Sequence, residues 1–307
     1  MLTPQQKNDI LQLVEEEKHR LGSYRAVATK CRISETSISL LRKGQYAAEG
    51  DDIYTTIALA LGFAFDTVNW NIADTANFRE VTLTLDIARK KAMFVPIAHK
   101  AGSGKTAACK VYLANNRRSG GVFMLTCREW NGRSFLLELV REIGAELPKG
   151  YANINTLIDC ISNTFKRMAH LRPLLIIDQA NSLKIAALRT LIHLYNDLED
   201  LLAVVALGTE NLEYEIKRGV RLTKFGYDEI SSRFGTKFIH LTGANLADTR
   251  KICDANGVTD KESQSRIFHA CEPSKVTLED GRSTYVIEDI RRLKRLIKRE
   301  HIQLEFA

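Results

Sequence analysis

Apolar positions along the chain follow three successive patterns. In residues 4–65 they recur every three or four positions, with Ser34 placed to cap a helix and Gly44 to end it, so the pattern predicts short helices that include a helix-turn-helix. From about residue 80 to 240, short apolar runs alternate with amphipathic segments. After residue 243 the helical spacing returns, over residues 246–256, 262–270 and 286–301.

The middle part of the chain predicts a parallel sheet. Alternation of strands and helices is typical of an α/β fold in which helices cover both faces of the sheet. We therefore predict an α/β architecture with an all-α domain before the sheet and a small helical lid after it. The predicted strands are residues 94–98, 122–126, 174–177, 202–207 and 237–241.

A phosphate-binding loop follows the first predicted strand. Glycines let backbone N–H groups turn inward toward an anion, and the start of the next helix adds the positive end of its dipole. Lys105 is expected to reach the β- and γ-phosphates of ATP, and the Thr106 hydroxyl to bind Mg²⁺. His99 stands where such loops usually begin with glycine, so the match is not strict. The residues expected to hold the nucleotide are Ala101, Gly102, Ser103, Gly104, Lys105, Thr106 and Ala107.

A buried strand that ends in an acid supplies the second half of this site. Asp178, in the run LLIIDQAN, is expected to hold Mg²⁺ beside Thr106. The next position is commonly Glu in ATPases with this motif, and here it is Gln179. An amide can orient water but cannot accept its proton, so we expect slow or blocked ATP hydrolysis. Either Gln179 is native to an ATP-gated switch, or it replaces a Glu to trap the ATP-bound form.

Composition and charge narrow the class of protein. The 307 residues are 45% hydrophobic and 26% charged, which excludes a disordered or fibrous chain and suits two or three domains. No apolar run is long enough to span a bilayer and the first residues do not form a secretion signal, so we expect a cytoplasmic protein with no membrane partner. The net charge of +7 is compatible with a polyanionic partner, and basic residues concentrate in segments 20–45 and 291–299.

Together, GSGKT at 102–106 and LLIIDQAN at 174–181 resemble the motifs of the AAA+ ATPases. A helix-turn-helix followed by one AAA+ module, in a chain of this length, resembles the MuB-like family of transposition proteins, with TnsC and IstB as more distant relatives. The resemblance covers nearly the whole chain. It divides the chain into a helix-turn-helix DNA-binding domain (1–68), a linker (69–80), an AAA+ nucleotide-binding core (81–242) and a C-terminal helical lid (243–307).

The resemblance also implies further residues of the ATP site. Thr209 matches the sensor-1 position, where a polar side chain contacts the attacking water or the γ-phosphate, with Asn211 as the second choice. Arg233 stands where the family places an arginine finger that reaches the ATP of a neighbouring subunit, and an ordinary exposed arginine is the alternative. Arg291 matches the nucleotide-contacting arginine of sensor 2, although Glu288 replaces the family's glycine. The catalytic set is then Lys105, Asp178, Gln179, Thr209 and Arg233.

MuB-like proteins form ATP-dependent helical filaments on duplex DNA, and this implies basic residues on an inner surface. Arg128 and Arg133 flank a turn after the second strand, and Lys149 lies in a glycine-containing loop, so all three are expected to contact phosphates. Trp130, between the two arginines, belongs either to this surface or to the core.

The two terminal parts of the chain leave alternatives open. In the helix-turn-helix, Arg42 and Lys43 are expected on DNA phosphates, but the same helices could instead pack internally or bind a partner protein. The basic helix near the C-terminus could bind DNA or an acidic surface of a transposase.

We therefore expect an ATP- and Mg²⁺-dependent protein that binds duplex DNA largely without regard to sequence, forms homo-oligomeric filaments on it, and delivers this target DNA to a transposase that it activates. The alternative is a P-loop ATPase that regulates transcription and reads one operator through its helix-turn-helix. A small-molecule kinase is disfavoured, because no separate substrate-binding insertion follows the phosphate-binding loop.

Overall fold

A computed structural model describes residues 2–46, 51–63, 70–147, 150–277 and 281–305. Its N-terminal part is helical, as predicted. Ser34 caps the third helix, since its hydroxyl accepts a 3.0 Å hydrogen bond from the backbone N–H of Ser37, and Ser23 caps the second in the same way. The helices are α1 (Pro4–Leu21), α2 (Tyr24–Cys31), α3 (Glu35–Arg42) and α4 (Asp52–Leu61).

The middle part of the chain forms a parallel sheet covered by helices, which confirms the predicted α/β fold. The strand order is β1-β4-β3-β2, and every neighbouring pair is parallel. In chain order the elements are α5 (Ala76–Lys91), β1 (Phe94–Ala98), α6 (Lys105–Asn115), β2 (Val122–Thr126), α7 (Gly132–Glu142), α8 (Ile154–Arg167), β3 (Leu174–Asp178), α9 (Ile185–Leu198), β4 (Ala203–Gly208), α10 (Glu210–Arg221) and α11 (Tyr227–Phe234). Helix α5 begins inside the segment predicted as a linker.

The fifth predicted strand, residues 237–241, is reduced to one parallel bridge. Ile239 pairs with Ile97 of β1. Its N–H donates to the Pro96 carbonyl and its carbonyl accepts from the Ala98 N–H, each at 3.0 Å. The next bond of a parallel ladder would require an N–H at Pro96, and proline has none. Pairing therefore cannot continue toward residue 237, and the prediction of a full strand over residues 237–241 was wrong.

The N-terminal helices share a core with one face of the sheet. Alternate residues of the strands face two different clusters: one contains α5 and α6, while the other contains α7, α8 and α9 together with buried residues of α1 to α4. Gly144, which follows α7, allows a close approach of α2, because a Cβ at this position would lie 2.7 Å from the Ala26 Cβ. The N-terminal helices are thus packed against the sheet and the helices that cover it.

The C-terminal part contains a β-hairpin that the sequence pattern did not predict. Its elements are α12 (Leu246–Ala255), α13 (Lys261–Ala270), β5 (Ser274–Thr277), β6 (Ser283–Val286) and α14 (Ile290–Glu305). The helix predicted over 286–301 was wrong at its start, because Val286 belongs to β6. None of the helices in the described part of the chain is long and apolar enough to cross a bilayer.

Candidate nucleotide-binding site

A cavity of about 370 Å³ lies at the carboxyl edge of the sheet. Its walls come from the loop after β1, the ends of β3 and β4, and the start of α14. All seven residues predicted for the phosphate-binding loop, 101–107, line it. The predicted site and the cavity therefore coincide. This edge of the sheet is also where open α/β sheets bind their ligands.

Gly102 lets the lid pack directly on the phosphate-binding loop. Its φ is +86°, and a Cβ there would collide with the Asp289 carboxylate just before α14. The N–H of Ile290, the first residue of α14, donates to the Gly102 carbonyl at 2.9 Å. The start of α14, and with it Arg291, is therefore fixed to the loop.

Lys105 lies inside the loop and is 9% exposed. Its ammonium donates to the carbonyls of His99 and Lys100, at 2.8 and 3.0 Å, and to the Ser103 hydroxyl at 3.0 Å. Burial lowers the pKa of Lys105 to about 8, against the opposing attraction of Asp178. A phosphate group placed here would favour the charged ammonium again.

The two residues predicted to hold Mg²⁺ are in direct contact. The Thr106 hydroxyl donates to Asp178 Oδ2 at 2.9 Å, and the other carboxylate oxygen accepts from the Gln179 N–H at 3.0 Å. Asp178 is 2% exposed at the end of β3, whereas the Gln179 side chain is exposed and lines the cavity. A hydroxyl beside a carboxylate is the oxygen pair that a magnesium-nucleotide site requires.

Thr209 also lines the cavity, next to Asn181. Its N–H donates to Asn181 Oδ1 at 3.1 Å, while its buried hydroxyl has no hydrogen-bond partner among the described residues. Buried hydroxyls normally have a partner, and a phosphate oxygen or an ordered water in the cavity would supply one. The Thr209 hydroxyl, the oxygen pair of Thr106 and Asp178, and the phosphate-binding loop together fit ATP with Mg²⁺.

Several residues of the cavity were not predicted from the sequence. Trp70 and Ile72 precede α5, and Lys294 lies one helical turn beyond Arg291; all three line the cavity. The Lys294 ammonium lies 4.8 Å from the centre of the Trp70 ring. Apolar residues in an otherwise polar segment were the only sequence signal for this wall.

The segment that contains Trp70 is attached to the lid. The Asn71 N–H donates to Asn256 Oδ1 at 2.9 Å, and the Asn256 amide donates back to the Asn71 carbonyl at 3.0 Å. The segment that contains Trp70 therefore lies between the cavity and the end of α12.

The two predicted arginines of the ATP site lie in different places. Arg291 lines the cavity, and its contact with a nucleotide as sensor 2 stays a prediction. Arg233, in the last turn of α11, is not among the residues that line this cavity; its guanidinium donates to Asn196 Oδ1 at 3.0 and 3.1 Å. Contact of Arg233 with a neighbouring subunit stays a prediction.

The predicted DNA contacts have different surroundings. Arg128 is exposed, whereas Arg133 donates to the Ala152 carbonyl at 3.0 Å. Trp130 is half-buried against the core, which favours its interpretation as a core residue. Lys149 lies outside the described residues. Lys43 is exposed.

The basic residues of the helix-turn-helix are largely paired within the chain. Arg42 binds Glu15 at 2.6 Å and lies 4.0 Å from the Tyr24 ring. Three others reach acids in the second half of α7 or just after it, as the pairs Arg25–Glu146, Lys30–Glu142 and Arg32–Glu138. The positive charge counted in residues 20–45 therefore serves to attach this domain to the core, and it is only partly available for phosphates.

Comparison with known proteins identifies the central part of the chain. The family model of an AAA domain matches residues 89–214, which include the phosphate-binding loop, Asp178 and Thr209. Residues 89–214 are therefore similar to an AAA domain. Such an ATPase domain implies ATP binding, in agreement with the cavity.

Comparisons that use the whole chain give less similarity than the family model does. The solved structure of Cdc6p from Pyrobaculum aerophilum is similar with a TM-score of 0.44 and 14% identity, over 63% of this chain and 52% of that one. The chain thus spans about half the length of that protein. No curated protein sequence matches it significantly.

Proposed function

We propose that this protein is an ATP-dependent DNA-binding ATPase that assembles on duplex DNA largely without regard to sequence, and presents this DNA to a transposase that it activates. The observation that carries the ATP-dependent part is the contact between Thr106 and Asp178 within a cavity lined by the whole phosphate-binding loop. The DNA and transposase parts are supported by the resemblance of the motifs and of the N-terminal helices to MuB-like proteins.

Each residue of the cavity has a defined task in this proposal. Lys105 and the backbone of residues 102–106 would hold the phosphates, while Thr106 and Asp178 would hold Mg²⁺, which neutralises charge that develops on them. Gln179 can orient a water molecule, but its amide cannot accept the proton. Hydrolysis would therefore be slow, and the ATP-bound form would persist.

The lid and the segment at Trp70 connect the nucleotide to the rest of the chain. Arg291 and Lys294 bring positive charge to the cavity from α14, and Trp70 brings an aromatic ring from the segment before α5. A ligand that contacts all three would bind one arrangement of core, lid and linker in preference to others. This is how ATP would control assembly.

One structural observation disfavours the operator-reading alternative. A reading helix needs free basic side chains beside it to hold phosphates, but Arg32, before α3, and Arg42, at its end, both bind acids of the same chain. The helix-turn-helix domain is also packed into the core of the ATPase. These contacts support a structural or protein-binding task for this domain.

The experiment is a comparison of duplex binding with ATP, with ADP and without nucleotide. We expect tight, sequence-independent binding with ATP alone, and loss of both ATP binding and assembly in Lys105→Ala. One protected footprint on a single operator would favour the transcription regulator, and unchanged ATP affinity in Lys105→Ala would refute the assignment of the cavity.

A further inference from the structure

Tyr151 is the most exposed large hydrophobic residue in the described part of the chain, at 81%. It lies in the segment that connects α7 to α8. Arg133 holds this segment, because its Nε donates to the Ala152 carbonyl and its guanidinium lies 4.6 Å from the centre of the Tyr151 ring. The ring is thus stacked on a cation on one side and faces solvent with most of its surface.

The same surface receives a third segment of the chain. The Lys184 N–H donates to the Trp130 carbonyl at 3.1 Å, and Gly132 lies so close to α9 that a Cβ on it would be 3.0 Å from the Ala186 carbonyl oxygen. The start of α9 therefore adjoins the turn that carries Arg128 and Arg133. The side chain of Lys184 is exposed.

Charge on this surface is mainly positive. Arg128 and Lys184 are exposed and form no ion pair among the described residues, and Arg133 is held only by a carbonyl and a ring. Glu129, which is also exposed, is the acid of the turn. A tyrosine ring stacked on one arginine, on a surface that also carries the exposed Arg128 and Lys184, suits a ligand that offers both phosphates and flat apolar faces, which is the chemistry of a nucleic acid.

We propose that Tyr151 is a base-contacting residue of the DNA surface, and that Lys184 is a phosphate contact beside Arg128 and Arg133. This inference rests on the proposed DNA binding and adds two residues that the sequence did not indicate. The cations would follow the backbone of the duplex, while the ring would pack against a base at a step that is partly unstacked. Contacts of this kind do not require a particular sequence, because every base has a flat face.

The test separates the two kinds of contact by their response to salt. Binding of the full chain with ATP to a fluorescent random-sequence duplex is measured over a series of salt concentrations. Lys184→Ala should reduce the slope of log K against log salt by about 0.9, as loss of one phosphate contact does. Tyr151→Ala should lower affinity at least about fivefold without changing the slope, because stacking on a base is not ionic.

Two variants serve as controls. Tyr151→Phe keeps the ring and should bind as the wild type does. Tyr214→Ala removes another exposed tyrosine, 57% accessible on α10, and should also bind normally. Circular dichroism of each variant confirms that the fold is retained.

The results distinguish a failure of the proposed function from a failure of the inference about Tyr151. If the wild-type protein binds no duplex in the presence of ATP, the proposed function itself fails. If the wild type binds and Tyr151→Ala binds equally well, or if Tyr151→Phe is as impaired as Tyr151→Ala, the base contact is refuted while the proposed function stands. A Tyr151→Ala variant that keeps its DNA affinity but loses self-assembly or transposase activation would show that this surface binds protein, which also overturns the inference.

Discussion

Replacement of Glu17 by Gln tests how the N-terminal helices α1 to α4 are held on the sheet and its helices. Glu17 and Arg20 are each 3% exposed. Arg20 Nε donates to Glu17 at 3.0 Å, and its NH1 donates to the Val122 carbonyl of β2 at 2.7 Å. Lys30 bridges Glu17 and Glu142 at 3.0 and 2.9 Å. Glu17→Gln would leave the buried Arg20 and the half-buried Lys30 with one carboxylate, that of Glu142, between them.

Two independent arguments give a similar loss of folding free energy for Glu17→Gln. Burial alone would raise the pKa of Glu17, but Arg20 and then Lys30 outweigh it and lower the pKa from 4.5 to about 2. That difference corresponds to about 3 kcal/mol of folding free energy. Breaking a buried ion pair by removing one partner typically costs about 3–5 kcal/mol. Because the folded-state pKa is the lower one, this contribution is complete above pH 4.5 and is lost as the pH falls toward 2.

Urea unfolding, followed by tryptophan fluorescence at neutral pH, measures the effect. For an m-value near 3 kcal/mol/M, the midpoint of Glu17→Gln should fall by about 1 M. Glu15→Gln is the matched control: it removes an ion pair with Arg42 whose side chains are 42% and 39% exposed, so it should cost less than about 1 kcal/mol. Equal midpoints for the two variants would refute the idea that the buried pairs attach the domain.

Three further predictions concern the ATP site. Gln179→Glu supplies a proton acceptor and should raise ATP turnover about 100-fold or more while shortening residence on DNA; equal ATPase rates would show that Gln179 is not at the catalytic water. Arg233→Ala should abolish turnover in assembled protein but leave ATP affinity of the single chain unchanged in calorimetry, and a loss of that affinity would contradict its action between subunits. In a Trp130→Phe background, ATP should change the fluorescence of Trp70, because Trp70 lines the cavity; an unchanged spectrum at saturating ATP would remove Trp70 from the site.

The strands of the sheet could be predicted because each is a short apolar run with polar residues or glycine around it. Three of them, Phe94–Ala98, Val122–Thr126 and Leu174–Asp178, lie where the pattern placed them, the last with one residue more. The phosphate-binding loop and Asp178 could be predicted for a related reason, since the chemistry of a phosphate site requires fixed residue types directly after such strands.

The remaining features depend on contacts between distant parts of the chain. Half of the residues of β5 and β6 are exposed and no apolar alternation marks them, so the hairpin was not predicted. The charge count near the N-terminus suggested free cations, and only the fold shows that Arg32 lies 2.8 Å from Glu138. Trp70 and Lys294 meet at the cavity although more than two hundred positions separate them.

Electron microscopy of the protein with random-sequence duplex DNA tests the central claim most directly. The account predicts helical filaments on the DNA with ATP and Mg²⁺, and isolated particles with ADP or with Lys105→Ala. Isolated particles in every condition, or the same filaments without nucleotide, would contradict it.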